Sequence, residues 1–190
     1  MTVTGSNKVY LLHGWGEGPY QSRLFREQLI ARGYTPTDAI EQADIIITHS
    51  GGCCFVPRNT EAKIIYINPV YWPGKSIVSR MIQKLWRDLR YYAKRRLMGA
   101  WCIKTFWNTI YVLGNPVRSY AIMTQSMRFS INDMRTIPAQ KIIIRNMNDP
   151  WCTPHIIREF KDNTVYIELP GEHDDLWLNP IPYIKYIEKN

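Results

Sequence analysis

Nowhere in this 190-residue chain does an apolar run approach the ~20 residues that a membrane-spanning helix needs. The first residues, MTVTGSNK, lack the apolar stretch of a signal peptide. Cysteine is scarce. Cys53 and Cys54 are adjacent while Cys102 and Cys152 lie far away, which does not suit a disulfide framework. The expectation is a reduced, cytoplasmic protein. Adjacent cysteines chelate zinc poorly, and no C-x-x-C or H-x-x-x-H spacing accompanies them, so no metal site is expected. The pair should fill space at the start of a short helix. Internal repeats and low-complexity segments are also absent. Acidic residues are missing from one long stretch: Ala62 to Asn132 holds 12 Lys+Arg against the single acid Asp88, a net +11. The other 119 residues carry 12 bases and 15 acids, a net −3, so the basicity belongs to one segment.

What is present is enough apolar material for one domain. The 45% hydrophobic and 13% aromatic content can fill a sizeable core and argues against disorder. Short apolar runs at 9–12, 44–48, 63–67, 141–144 and 165–169 read as strands, and each stops at a polar or glycine-rich corner. Leu24, Phe25, Leu29 and Ile30 recur at helical spacing within 20–32, and Gly33 follows where a helix C-cap belongs. A final helix is expected over 180–188. Nearly all-apolar strands separated by helices imply a parallel sheet covered on both faces. In such sheets, ligands bind beyond the carboxyl ends of the strands. The corners at 13–16, 48–52, 146–150 and 170–173 should therefore converge on one edge.

The corner Thr48-His49-Ser50-Gly51-Gly52 places a lone serine on a sharp strand-to-helix turn, with small neighbours that let the backbone bend. A serine hydroxyl becomes a useful nucleophile only when a histidine takes its proton, and a carboxylate must hold that histidine in one tautomer. The chain supplies Ser50, then Asp149, then His173, each just past a strand. Asp133 and Asp162 are rivals for the acid that do not directly follow a strand, and Asp174 and Asp175 adjoin the histidine. His13 reads as structural, His49 as a packing or hydrogen-bonding residue beside the corner, and His155 as a surface or first-turn residue.

This order of loops resembles the α/β-hydrolase superfamily over nearly the whole chain. His13-Gly14-Trp15-Gly16 is similar to its oxyanion loop, and 48–52 to its nucleophile elbow. Asn148-Asp149-Pro150 and Gly171-Glu172-His173 are similar to its acid and histidine loops. The resemblance implies Ser50 as nucleophile, His173 as general base and Asp149 as its orienter. It implies the backbone N–H groups of Trp15 and Gly51 as the oxyanion hole. There are three departures. Position 48 is Thr where the elbow usually has Gly. Only 17 residues separate Ser50 from Asn68, with Pro57 among them, so the helix after the elbow must shrink to about two turns. The stretch between Gly33 and Asp44 is too short for a full strand and helix. A single reduced α/β domain over 1–190 is therefore expected, its parallel sheet covered by helices on both faces.

Residues 72–131 sit where this superfamily inserts a helical cap. Three helices are expected: one over 76–96, one over 97–112, and one opened by Asn115 and Pro116 and running to about Arg128. In the first, Val78, Met81, Ile82, Leu85 and Leu89 should turn inward, and Arg80, Lys84, Arg87 and Arg90 should face water. Most cap aromatics should form its core, with Trp72, Trp101 and Trp107 taken as candidate walls of an acyl pocket. The reading is a serine hydrolase that cleaves a small-molecule carboxylic ester with an apolar acyl group through an acyl-enzyme, without a cofactor. The alternative is a non-catalytic protein of the same fold whose basic cap binds an anionic partner.

Overall fold

Ile45, Ile46 and Ile47 are all buried, which an isolated strand achieves only when both of its faces are covered. A computed structural model shows how; it describes residues 7–70, 77–128, 131–154, 156 and 164–189. Six strands form one sheet: β1 (Lys8–Leu12), β2 (Thr35–Pro36), β3 (Ile45–His49), β4 (Lys63–Ile67), β5 (Lys141–Asn146) and β6 (Thr164–Leu169). Their order is β2-β1-β3-β4-β5-β6, and every neighbouring pair is parallel. Helix α1 (Arg23–Ile30) follows β1, and a six-residue 3-10 segment (Ser50–Phe55) follows β3. Between β4 and β5 run α2 (Ile77–Lys94), α3 (Met98–Gly114), α4 (Pro116–Arg128) and α5 (Ile131–Arg135). After β6 come α6 (Asp175–Leu178) and α7 (Ile181–Lys189).

Successive strand residues point to opposite faces, so the isoleucine runs feed two cores. Ile45, Ile47, Ile65, Ile67, Ile142 and Ile144 pack with Phe25 and Leu29 of α1, Leu176 of α6 and Ile184 and Ile187 of α7. Ile46, Ile64, Tyr66 and Ile143 pack on the other face with Cys53, Val56, Met134 and Ile137. Cys53 thus acts as filler in the 3-10 segment. Two elements were too short for the sequence pattern to show. They are the two-residue β2, squeezed in after Gly33, and α6, which starts two residues past His173.

The helices between β4 and β5 fall close to the expected spans, but their burial corrects one expectation. Ile82 and Leu85 of α2 do not turn inward; they are 53% and 55% exposed. The 3-10 segment and α5 already cover that sheet face, and α4 packs on the 3-10 segment. α2 packs on α3, and among its described side chains Tyr92 alone is buried, with Leu89 half-buried. Arg90 faces water as expected; the side chains of Val78, Arg80, Met81, Lys84 and Arg87 lie outside the described residues. This burial pattern separates core from surface in a measurable way. Ile144→Ala should cost ~2–5 kcal/mol of stability. Ile82→Ala should stay within about 0.5 kcal/mol of wild type. Urea unfolding of the two variants checks the contrast, and equal losses would place Ile82 in a core.

Candidate active site

The strand order brings the four special corners to one edge of the sheet, since β1, β3, β5 and β6 are parallel and each corner follows its strand. At the end of β3, Ser50 has φ +53°, in the left-handed region that side chains other than glycine rarely adopt. The loop after β1 presses against it. A Cβ on Gly14 would lie 2.7 Å from the Ser50 Cβ and 3.2 Å from the His49 carbonyl oxygen, so only glycine lets the two loops approach this closely. A Cβ on Gly51 would lie 3.9 Å from the Trp15 nitrogen, so the two candidate oxyanion donors are neighbours.

The acid and histidine loops meet directly. His173 Nδ1 lies 2.8 Å from Asp149 Oδ2, with both side chains buried. The other Asp149 oxygen accepts the Trp151 N–H at 2.7 Å, which fixes the carboxylate plane. Backbone bonds from Met147 N to Leu169 O and from Asn148 N to Gly171 O tie the two loops beyond the ends of β5 and β6. Of the residues singled out from the sequence, Asp149 and His173 are thus in contact, and Ser50, Gly51 and Trp15 share the adjoining corner. Among the described residues, no hydrogen bond joins the Ser50 hydroxyl to His173.

The His49 ring lies beside that of His173, with centroids 4.7 Å apart. Its Nδ1 lies 2.7 and 2.9 Å from the two Glu17 oxygens, and its Nε2 lies 2.9 Å from the His173 carbonyl oxygen. Both nitrogens face acceptors, so only the doubly protonated ring satisfies both. Burial alone would lower the His49 pKa, but the Glu17 charge and hydrogen bond raise it above the ordinary 6.5. Burial alone would likewise raise the Glu17 pKa, and His49 instead holds it well below the usual carboxylate range. Glu17 also accepts the Gly14 N–H at 2.7 Å and the Trp177 indole N–H at 3.1 Å. One buried carboxylate therefore links the loop after β1, the residue before Ser50 and α6.

The histidine loop has further holds. Asn68, at the end of β4 with φ +48°, donates to the His173 carbonyl oxygen at 2.7 Å and accepts from Asn146 N at 2.7 Å. Asn146 in turn donates to the Glu172 carbonyl and accepts from the Tyr183 hydroxyl. Glu17, Asn68 and Asn146 escaped the sequence reading. The signal for the two asparagines was the one that marked Ser50, a polar residue closing an apolar strand.

No protein-family model matches the chain, and no curated protein matches its sequence. Solved structures do match its fold. An enol-lactonase from Burkholderia xenovorans aligns over 100% of this chain and 92% of its own, with TM-score 0.65 and 12% identity. A hydrolase from Oleispira antarctica aligns over 98% and 92%, with TM-score 0.66 and 14% identity. A structure from a study of carboxylesterases of Nitrososphaera gargenis aligns over 97% and 89%, with TM-score 0.61 and 14% identity. The chain has the α/β-hydrolase fold.

Within this fold, the segment after the Ser50 corner is a six-residue 3-10 turn. Thr48 is fully buried there, and its hydroxyl has no partner among the described residues. His13 sits in the core beside Ser22, and burial lowers its pKa to about 4, so the ring stays neutral. His49, His173 and Asp174 bring ligand atoms within 4.8 Å of one another. Both His49 nitrogens are already committed, however, and Lys104 of α3 pairs with Asp174, so this cluster is poorly suited to a cation. Trp107 is 41% exposed, Trp101 is half-buried, and Trp72 lies outside the described residues, as do Asp162 and His155. A cavity of about 470 Å³ runs along β1 from Val9 to His13, with Pro36, Asp38, Phe55, Arg118 and Ile122 also in its walls; none of Trp15, Ser50, Gly51, Asp149 and His173 lines it.

The Glu17–His49 pair gives stability a defined pH dependence. The raised His49 pKa contributes stability that is complete below 6.5 and fades as pH rises through the folded-state value. The lowered Glu17 pKa contributes stability that is complete above 4.5 and fades as pH falls through the folded-state value. Glu17→Gln should therefore cost most between these values, roughly 3–5 kcal/mol, because it strands a buried charge. Thermal unfolding of wild type and variant across pH checks this. A difference that ignores pH would mean the pair is not ionised.

Proposed function

We propose that this α/β-hydrolase is a serine hydrolase that cleaves carboxylic esters through an acyl-enzyme. The observation that carries the reading is the meeting of two features on one sheet edge: Ser50 in a strained left-handed corner and a buried Asp149–His173 pair at 2.8 Å. In the reaction, Ser50 Oγ attacks the ester carbonyl carbon while His173 Nε2 takes the hydroxyl proton. Asp149 holds the Nδ1–H, so the accepting nitrogen is Nε2 and the new imidazolium is stabilised. The backbone N–H groups of Trp15 and Gly51 stabilise the oxyanion. Collapse breaks the C–O bond, and the alcohol leaves with the proton from His173. Water, deprotonated by the same nitrogen, then attacks the acyl carbon and releases the carboxylic acid and free Ser50.

The fold neighbours named for lactone and carboxylic ester cleavage support an oxygen-ester or lactone substrate. Ile122, which lies against Gly51, would contact an apolar acyl group. The helices between β4 and β5 act as the cap in this reading. The Ser50–His173 hydrogen bond, which is not formed among the described residues, would form with substrate, as such bonds commonly tighten in the Michaelis complex. Its absence here is the observation that favours the second reading, a non-catalytic binding protein.

Fluorophosphonate labelling separates the two. Ser50 should be the modified residue, and Ser50→Ala should abolish the label. Asp149→Asn should lower kcat about 10⁴-fold, by forcing the wrong histidine tautomer, without unfolding the chain. A folded protein that no fluorophosphonate modifies would remove the enzyme reading.

A further inference from the structure

Helix α3 carries two stripes, and they face opposite to the usual arrangement. Lys104, Asn108, Tyr111 and Val112 make one stripe and touch the body of the protein. Lys104 pairs with Asp174, Asn108 with Gln21, and Val112 and Tyr111 lie against Gly16 and Gly18 of the oxyanion loop. Ile103, Phe106, Trp107, Ile110 and Leu113 make the other stripe, and they face outward, 41% to 71% exposed. No residue of α3 is buried. Beside it, α2 exposes Ile82, Leu85 and Trp86 at helical spacing, each more than half. A surface helix ordinarily turns such a stripe toward the core. Exposed apolar side chains gathered on two helices that pack together are the kind of surface that marks an interaction site.

The charge around the stripe selects the occupant. Arg90 and Lys94 lie exposed near the C-terminal end of α2, with Arg95 and Arg96 in the turn to α3. They belong to the Ala62–Asn132 stretch, whose net charge is +11. A second copy of the chain seated on this face would bring two such cationic surfaces within the ~8 Å over which exposed charges act at physiological ionic strength. A nucleic acid would meet the cations but leave Phe106, Ile110 and Leu113 in water. A bilayer with anionic headgroups satisfies both features, pairing with the cations and taking the apolar side chains into its acyl boundary.

We propose that the α2–α3 hairpin docks on the surface of anionic phospholipid membranes, with the α3 apolar stripe at the acyl boundary and the cations of the α2–α3 turn among the headgroups. Among the described residues, no helix is long and apolar enough to cross a membrane, so the contact lies on the surface. Docking would set the oxyanion loop, directly under the inner stripe of α3, close to the lipid.

Sedimentation with phosphatidylcholine vesicles, with and without one third phosphatidylglycerol, tests this at low and high salt. Wild type should bind the anionic vesicles and lose most of that binding at high salt. Phe106→Glu/Ile110→Glu and Arg90→Glu/Lys94→Glu should each weaken partitioning at least about tenfold. Both pairs sit on exposed surface, and circular dichroism like that of wild type shows that they fold. Brominated acyl chains should quench tryptophan fluorescence, and less so in Trp107→Phe. Three results would overturn the proposal. One is wild type that ignores anionic vesicles at low salt. Another is binding that both variants retain in full. The third is self-association in solution that Phe106→Glu/Ile110→Glu abolishes while vesicles bind nothing. None of these positions belongs to the Ser50, Asp149 and His173 group, so vesicle binding succeeds or fails independently of fluorophosphonate labelling.

Discussion

The ion pair between Glu17 and His49 ties together parts that the backbone leaves separate. Glu17 belongs to the loop after β1, and His49 ends β3. The carbonyl that His49 reaches lies beyond β6, at the far side of the sheet. Such a pair is costly to bury and is tolerated only when its remaining hydrogen-bonding capacity is used. Here it is, by Gly14, by the Trp177 indole and by the His173 carbonyl. The consequence is geometric. Displacing the loop after β1 would strand the His49 charge, and displacing the loop after β6 would leave the His49 Nε2–H without its acceptor. The pair therefore penalises loosening of either loop, independently of any substrate.

This kind of bracing suits a chain in which the Ser50 corner has little structure behind it. The six-residue 3-10 turn after Ser50 gives little area against which to fix a corner. Side chains at strand ends supply the rest. Asn68 and Asn146 each bond main-chain groups on neighbouring loops, with Tyr183 of α7 closing the network. Buried amides of this sort fix orientation as well as distance, because donor and acceptor cannot be exchanged without leaving groups unpaired.

Much of this was legible in the sequence. The isoleucine runs announced two-sided burial, and the corners that ended them announced the edge where the functional groups collect. What escaped has physical reasons. β2 has two residues and α6 four, too few for any periodicity to register. Helical spacing in α2 and α3 located amphipathic helices correctly but could not say which stripe faces the protein. Ile82 and Leu85 were assigned inward because apolar stripes usually are, and α3 reverses that habit through contacts made by Lys104, Asn108 and Tyr111. Glu17 drew no reading, since nothing local reveals that a histidine 32 positions later will hydrogen-bond to it. Its role exists only in the folded chain.

Ser50 illustrates how far the demands of a corner can diverge from those of its side chain. A left-handed φ of +53° is one that glycine adopts freely and serine adopts at a cost of roughly 1 kcal/mol or more. For the backbone alone, glycine would be the better occupant of position 50, continuing the pair that follows it. Random substitution screened only for thermal resistance would therefore tend to erase the hydroxyl first. A more heat-resistant variant of this chain obtained that way should be sequenced at position 50 before its tolerance is credited to the core.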